Sequence, residues 1–143
     1  MKTDNEMKLE FDSRSCNEGF ARVAVAAFLT QLNPTLEEVA DVKTALSEAV
    51  TNAIIHGYGG KVEKITIRGR ISGRTIELEV VDAGVGIPDV KQAMEPLFTT
   101  REDCERAGMG FSFMAAFMDT LEVDSAPGQG TRVKMTKQIG RLA

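Results

Sequence analysis

At Gly57-Tyr58-Gly59-Gly60 the hydrophobic pattern of this chain changes its period, so the stretches on either side must fold differently. Before that point apolar residues recur every three to four positions. Phe20, Val23, Ala24, Ala27, Phe28 and Leu32 predict a helix over Asn17–Leu32, stopped by Asn33-Pro34. Thr35-Leu36-Glu37-Glu38 opens a second helix with a capping-box pattern. It runs to about His56, with Val39, Val42, Leu46, Ala49, Val50 and Ala53 as its buried stripe.

Beyond the glycines the pattern alternates. Lys64–Ile71 and Thr75–Val81 read as strands joined by a hairpin turn at Ser72-Gly73. Leu121–Val123 and Thr131–Met135 form a second hairpin around Pro127-Gly128-Gln129-Gly130, and Lys8–Phe11 is a short first strand. Phe111–Met118 is apolar all round and predicts a buried helix, whereas Val90–Ala107 predicts a short helix and then a mobile loop. The 143 residues suffice for a single domain, residues 1–143. The expected fold is an α/β two-layer sandwich: a mixed, largely antiparallel sheet with helices on one face.

Seventeen basic against twenty-one acidic residues leave a net charge of −4, which argues against a nucleic-acid coat. Cys16 and Cys104 stand far apart, and with one histidine they make no standard zinc spacing. The polar N-terminus predicts no signal peptide, and no apolar run approaches the ~20 residues of a membrane span. A cytoplasmic protein, free of membrane and of direct nucleic-acid contact, is expected.

Four short motifs carry candidate chemistry. Glu48, Asn52 and His56 lie at i, i+4 and i+8 along the second helix, at the edge of its apolar stripe. A carboxylate there suits proton abstraction and an amide oxygen suits Mg²⁺, although taken alone the pattern is better explained as a solvated polar flank. Asp82-Ala83-Gly84-Val85-Gly86-Ile87-Pro88 follows a strand. Its glycines let the backbone approach a flat ligand, and its aspartate can accept from an exocyclic amine. It is not a Rossmann fingerprint, since proline follows and no βαβ unit surrounds it. Gly108-Met109-Gly110 opens the helix at Phe111, where free N–H groups favour anions. Gly128-Gln129-Gly130-Thr131 ends in a hydroxyl that could reach a ligand directly or through water. Each motif alone is also an ordinary turn or cap.

In this order, E-x-x-x-N-A-x-x-H-G, D-x-G-x-G-I, a long loop, G-x-G-F and G-x-G-T, the chain resembles the GHKL (Bergerat-fold) ATPase and kinase superfamily, from about Phe11 to Gln138. That superfamily includes histidine-kinase catalytic domains, type II topoisomerases, mismatch-repair ATPases and heat-shock chaperones. Arg14-Ser15, Asn17-Glu18, Phe20-Ala21-Arg22, Ser47–Tyr58, Pro96–Thr100 and Gly108–Phe111 are similar, more narrowly, to the anti-sigma kinases of endospore-forming bacteria. The loop after Tyr58 is shorter than that pattern, and Cys104 is unusual in it.

The resemblance implies a histidine-kinase-like ATPase fold with a flexible ATP lid. It implies a serine/threonine protein kinase that binds ATP or ADP with Mg²⁺, inhibits the sporulation sigma factor F and phosphorylates a serine of an anti-anti-sigma factor, as a homodimer. By its motifs Asp82 would accept from the adenine amine, with Gly84 and Gly86 giving the base room and Thr131 assisting. Asn52 would hold Mg²⁺, and Gly108, Met109 and Gly110 the phosphates. Thr99, Thr100 and Arg101 (or Arg106) would act from the lid, Glu48 as catalytic base, and Glu18 and Arg22 as a partner-docking pair. His56 either contacts ligand or only caps and packs. The alternatives are a stress-type anti-sigma kinase and a nucleotide-gated binding module with little catalysis. A two-component histidine kinase fragment would need an accepting histidine, and none precedes Glu48.

Overall fold

The computed structural model describes residues 3–90, 94 and 105–140, with the backbone alone for 105–109. The chain runs β1 (Asn5–Asp12), α1 (Cys16–Leu29), a 3-10 turn (Thr30–Leu32), α2 (Leu36–Asn52), a π-helical turn (Ala53–Gly57), β2 (Lys64–Ser72), β3 (Thr75–Asp82), α3 (Glu105–Phe117), β4 (Thr120–Ser125) and β5 (Thr131–Gln138). The strands form one sheet in the order β1-β2-β3-β5-β4. Every pair among the described residues is antiparallel, so the expected sandwich stands and no parallel pair makes its sheet mixed.

Local chemistry places the ends of these elements. Thr35 accepts from the Glu38 amide at 3.1 Å while Glu38 accepts from the Thr35 amide at 2.9 Å, a complete capping box for α2. The β2–β3 turn is Gly73-Arg74, one residue later than the expected Ser72-Gly73, because Ser72 pairs with Thr75. Gly73 supplies the positive φ (59°) that a II′ turn demands at its first central position.

One face of the sheet carries the core. Ile65, Ile67, Ile76, Leu78, Val133 and Met135 meet Val42, Leu46, Ala49 and Val50 of α2 there. The other face presents charges that alternate strand by strand, as in Lys134–Glu77 and Arg132–Asp124, each 3.3 Å apart. Two helices bury faces other than those their spacing suggests. In α1 the core side is Ala21, Val25 and Leu29, while Phe20 and Val23 are 52% and 62% exposed. This helix is apolar on both sides, so periodicity does not select the buried one. In α3, Phe111 and Met114 are buried but Phe113, Ala115 and Ala116 are exposed, so the helix covers the core with one face only.

Candidate functional site

The polar pair Glu48 and Asn52 sits one turn apart near the end of α2, half-buried because Leu46, Ala49 and Val50 turn the opposite side of the helix into the core. Gly110 of α3 faces this pair. A Cβ at Gly110 would lie 3.2 Å from Glu48 Oε2 and 3.2 and 3.5 Å from the two amide atoms of Asn52. Glycine therefore lets α3 close on the two polar side chains with no side chain of its own between them. The Asn52 Nδ2 is buried and has no hydrogen-bond partner among the described residues. A buried amide donor is normally paired, so this side chain has a hydrogen bond still to offer at the point where α3 closes on α2.

The structure starts α3 at Glu105, so Gly108-Met109-Gly110 lies inside the helix instead of opening it. Only the first four amides of a helix lack intrahelical partners, so the amides of Met109 and Gly110 fall to the ladder in this conformation. Thr99, Thr100 and Arg101 lie outside the described residues.

At Asn52 the α-helix gives way to the π-helical turn, and the Tyr58 amide reaches back five residues to the Ala53 carbonyl at 3.0 Å. His56, half-buried, falls within this wider turn, beyond the α-helical stretch that carries Glu48 and Asn52. The turn also delivers Gly57 to the second cluster. The Asp82 carboxylate rests on the Gly57 Cα: a Cβ there would lie 2.8 Å from Asp82 Oδ1. The Gly57 carbonyl accepts from the Val85 amide at 2.9 Å. It also packs so tightly on Gly84 that a Cβ at Gly84 would fall 2.0 Å from that oxygen. Gly86 has φ 78° and no room for a Cβ beside the Ala126 carbonyl.

Asp82 is 7% exposed, and burial pushes its carboxyl above the usual range against the opposing pull of the Gly84 and Thr131 amides. Thr131 pairs directly with Asp82 across β3 and β5, which joins the second and fourth motifs. Two side chains here escaped the sequence reading. The Tyr58 hydroxyl accepts from the Ala83 amide at 2.7 Å, and the Ser125 hydroxyl accepts from the Ile87 amide at 2.8 Å. Neither residue belongs to a spaced motif, and only Tyr58 carried a signal, its place directly after His56-Gly57.

On the far side of Glu48, a groove of about 460 Å³ lies along α2 and is lined by Arg22, Leu36, Val39, Lys43, Ser47 and Glu48. Arg22 reaches it from α1, 3.9 Å from Glu18 in a half-buried i, i+4 ion pair, a spacing worth about 0.3–0.5 kcal/mol on a helix. Among the described residues no three His, Cys, Asp or Glu side chains group to hold a metal ion by themselves. A divalent cation at Asn52 would therefore need ligands from phosphate and water, the habit of Mg²⁺.

The histidine kinase-like ATPase domain matches residues 13–137. The anti-sigma F factor of Thermoanaerobacter sp. (strain X514) is 61% identical over 140 residues, 98% of each chain. That of Clostridium novyi (strain NT) is 58% identical over 136 residues, covering 94% of this chain and 95% of the relative. Among solved structures, the RsbU and RsbW domains of a Mycobacterium tuberculosis protein superpose with a TM-score of 0.70 at 19% identity, over 97% of this chain and 33% of that one. The Erythrobacter litoralis EL346 blue-light activated histidine kinase gives 0.60 at 18% identity, over 85% of this chain and 41% of that one. At such identities the structural likenesses speak for the fold alone. No helix among the described residues is long and apolar enough to cross a membrane.

Proposed function

The chain belongs to the histidine kinase-like ATPase family and, within it, to the anti-sigma F factors, and from that footing we propose that it restrains sporulation sigma factor F and uses Mg-ATP to phosphorylate a serine of an anti-anti-sigma factor. The observation that carries this reading is the closure of Gly110 on Glu48 and Asn52 near the C-terminal end of α2, with Gly57 of the π-helical turn that continues it lying against the Asp82 carboxylate. This continuous helical segment thus lies between a base-reading acceptor on β3 and a carboxylate and amide suited to phosphoryl transfer.

In this mechanism the Asp82 carboxylate accepts from the adenine 6-amino group. Guanine would set a carbonyl against it and leave two acceptors opposed in a dry pocket, so ATP is favoured over GTP. Gly84 and Gly86 keep the loop flat against the base, and the Thr131 hydroxyl assists. Asn52 would hold Mg²⁺, which neutralises phosphate charge and orients it for in-line transfer. The amides of Gly108, Met109 and Gly110 would hold phosphate once the first turns of α3 unwind and free them from the helix ladder, and Thr99, Thr100 and Arg101 would act from the lid. Glu48 orients the incoming serine hydroxyl and takes its proton. In a loose phosphoryl transition state that task is mostly positioning.

The serine approaches through the groove between Arg22 and Glu48, and Glu18 with Arg22 forms part of the partner-docking surface. Residues 1–143 act as one unit, paired in a homodimer. β1 supports that pairing, because it ends the sheet and among the described residues no strand pairs with its outer edge. Transfer of labelled γ-phosphate from ATP to the anti-anti-sigma factor tests the whole reading. Wild-type protein should transfer it, and Glu48→Gln should bind Mg-ATP yet transfer it about 10²–10⁴-fold more slowly, the usual worth of general-base help. Undiminished transfer by Glu48→Gln would return Glu48 to a polar flank of α2.

A further inference from the structure

In the segment that leaves β3, Asp82 to Ile87, Ile87 alone packs an apolar side chain against the core, while Ala83 is exposed and Val85 is 64% exposed. The segment is held in shape by where its amides go. Gly84 donates to Asp82 Oδ1 at 2.8 Å and Val85 to the Gly57 carbonyl at 2.9 Å. The two flanking amides go to hydroxyls from outside the segment, Ala83 to Tyr58 at 2.7 Å and Ile87 to Ser125 at 2.8 Å.

Each hydroxyl also reaches an anchor of its own. Tyr58 donates to the Lys64 carbonyl at 2.5 Å, at the first residue of β2. The Ser125 hydroxyl lies 2.8 Å from the Gly130 carbonyl and 2.8 Å from the Thr131 hydroxyl, at the start of β5. β2 and β5 are the two neighbours of β3 in the sheet. The loop is therefore tied at its first amide to one flanking strand and at its last to the other. A hydroxyl suits this bridge because it accepts and donates through one atom. Replacing either by hydrogen strands a loop amide and loosens its anchor together.

We propose that Tyr58 and Ser125 are positioning residues for nucleotide-base recognition, holding the Asp82–Ile87 segment from its two ends so that the Asp82 carboxylate meets an amino-purine edge. This rests on the reading of Asp82 as the adenine acceptor. Neither side chain needs to touch the nucleotide. Their effect travels through the loop, whose root carries the carboxylate and whose glycines leave its middle little side-chain packing to fall back on.

The experiment is a titration of the full chain, with Mg²⁺ present, by ATP and by ITP, whose base carries a 6-oxo group in place of the amine. The variants are Tyr58→Phe, Ser125→Ala, Ser125→Thr and Asp82→Asn. Tyr58→Phe and Ser125→Ala should each weaken ATP binding by roughly 5- to 30-fold, the loss expected for one buried bridge. They should also shrink the ATP-to-ITP affinity ratio, which a merely structural role would leave unmoved. Ser125→Thr, which keeps the hydroxyl, should restore most of that ratio. Amide hydrogen exchange should quicken at Ala83 in Tyr58→Phe and at Ile87 in Ser125→Ala. An unchanged ratio in both variants, or wild-type protection of both amides, would overturn the proposal if Asp82→Asn abolishes discrimination. Full discrimination retained in Asp82→Asn would overturn the adenine reading and this proposal together.

Discussion

Gly110→Ala separates the chemistry of this protein from its stability. Alanine is the better helix former by roughly 0.5–1 kcal/mol, and no positive φ at Gly110 forbids it. On propensity alone the variant should melt up to about 4 °C higher. The added methyl, however, would lie 3.2 Å from both Glu48 Oε2 and Asn52 Nδ2, so these side chains must retreat by a few tenths of an ångström. A misplacement of about 1 Å can cost 10²-fold in rate, so on a logarithmic scale ~0.3 Å costs about fourfold. Phosphate transfer at saturating ATP should fall by about 3- to 10-fold while the melting temperature holds or rises. The assay pairs single-turnover transfer of labelled γ-phosphate with a thermal melt of the same preparation. Wild-type transfer would refute the idea that α3 closes directly on the reacting pair. A large drop in melting temperature would instead make Gly110 a packing residue.

Asn52→Ala should lose the Mg²⁺-dependent part of ATP affinity and turnover, read by titrating ATP with and without Mg²⁺; an unchanged Mg²⁺ dependence would remove Asn52 from the cation site. Burial lifts the Asp82 carboxyl above its ordinary 3.8, so its contribution favours the folded state fully below about that pH and is withdrawn as pH rises through the raised value. Asp82→Asn should therefore melt above wild type at pH 7, with the gap closing toward pH 4, even as it loses ATP affinity; equal melting at pH 7 would contradict the burial argument. Thr35→Ala breaks the capping box and should cost about 1 kcal/mol, or roughly 4 °C, without moving ATP affinity. A changed affinity in that variant would mean that the start of α2 is coupled to the site.

Much of this protein was legible along the chain because the chemistry concerned is local. The Thr35–Glu38 box, the stop at Asn33-Pro34, the alternation of Ile65 and Ile67 and the glycines after Asp82 each act within a few residues of themselves, and each element they imply is present. The candidate groups Glu48, Asn52 and Asp82 were readable for the same reason, since spacing on a helix or the end of a strand decides where such side chains can point.

Tertiary structure decided what depends on a partner distant in sequence. Which side of α1 turns inward follows from what packs on it, and the exposed Phe20 and Val23 are the side left over. The turn at Ala53–Gly57 widens from α to π where the Gly57 carbonyl meets the Val85 amide, a contact between residues that no periodicity links. Gly110 reaches Glu48 and Asn52 from a separate helix, and Tyr58 and Ser125 tie the Asp82 segment to the two strands that flank β3. Spacing sets the direction of a side chain on its own element, whereas the atom it meets depends on how two elements dock. That is settled only when the whole core closes.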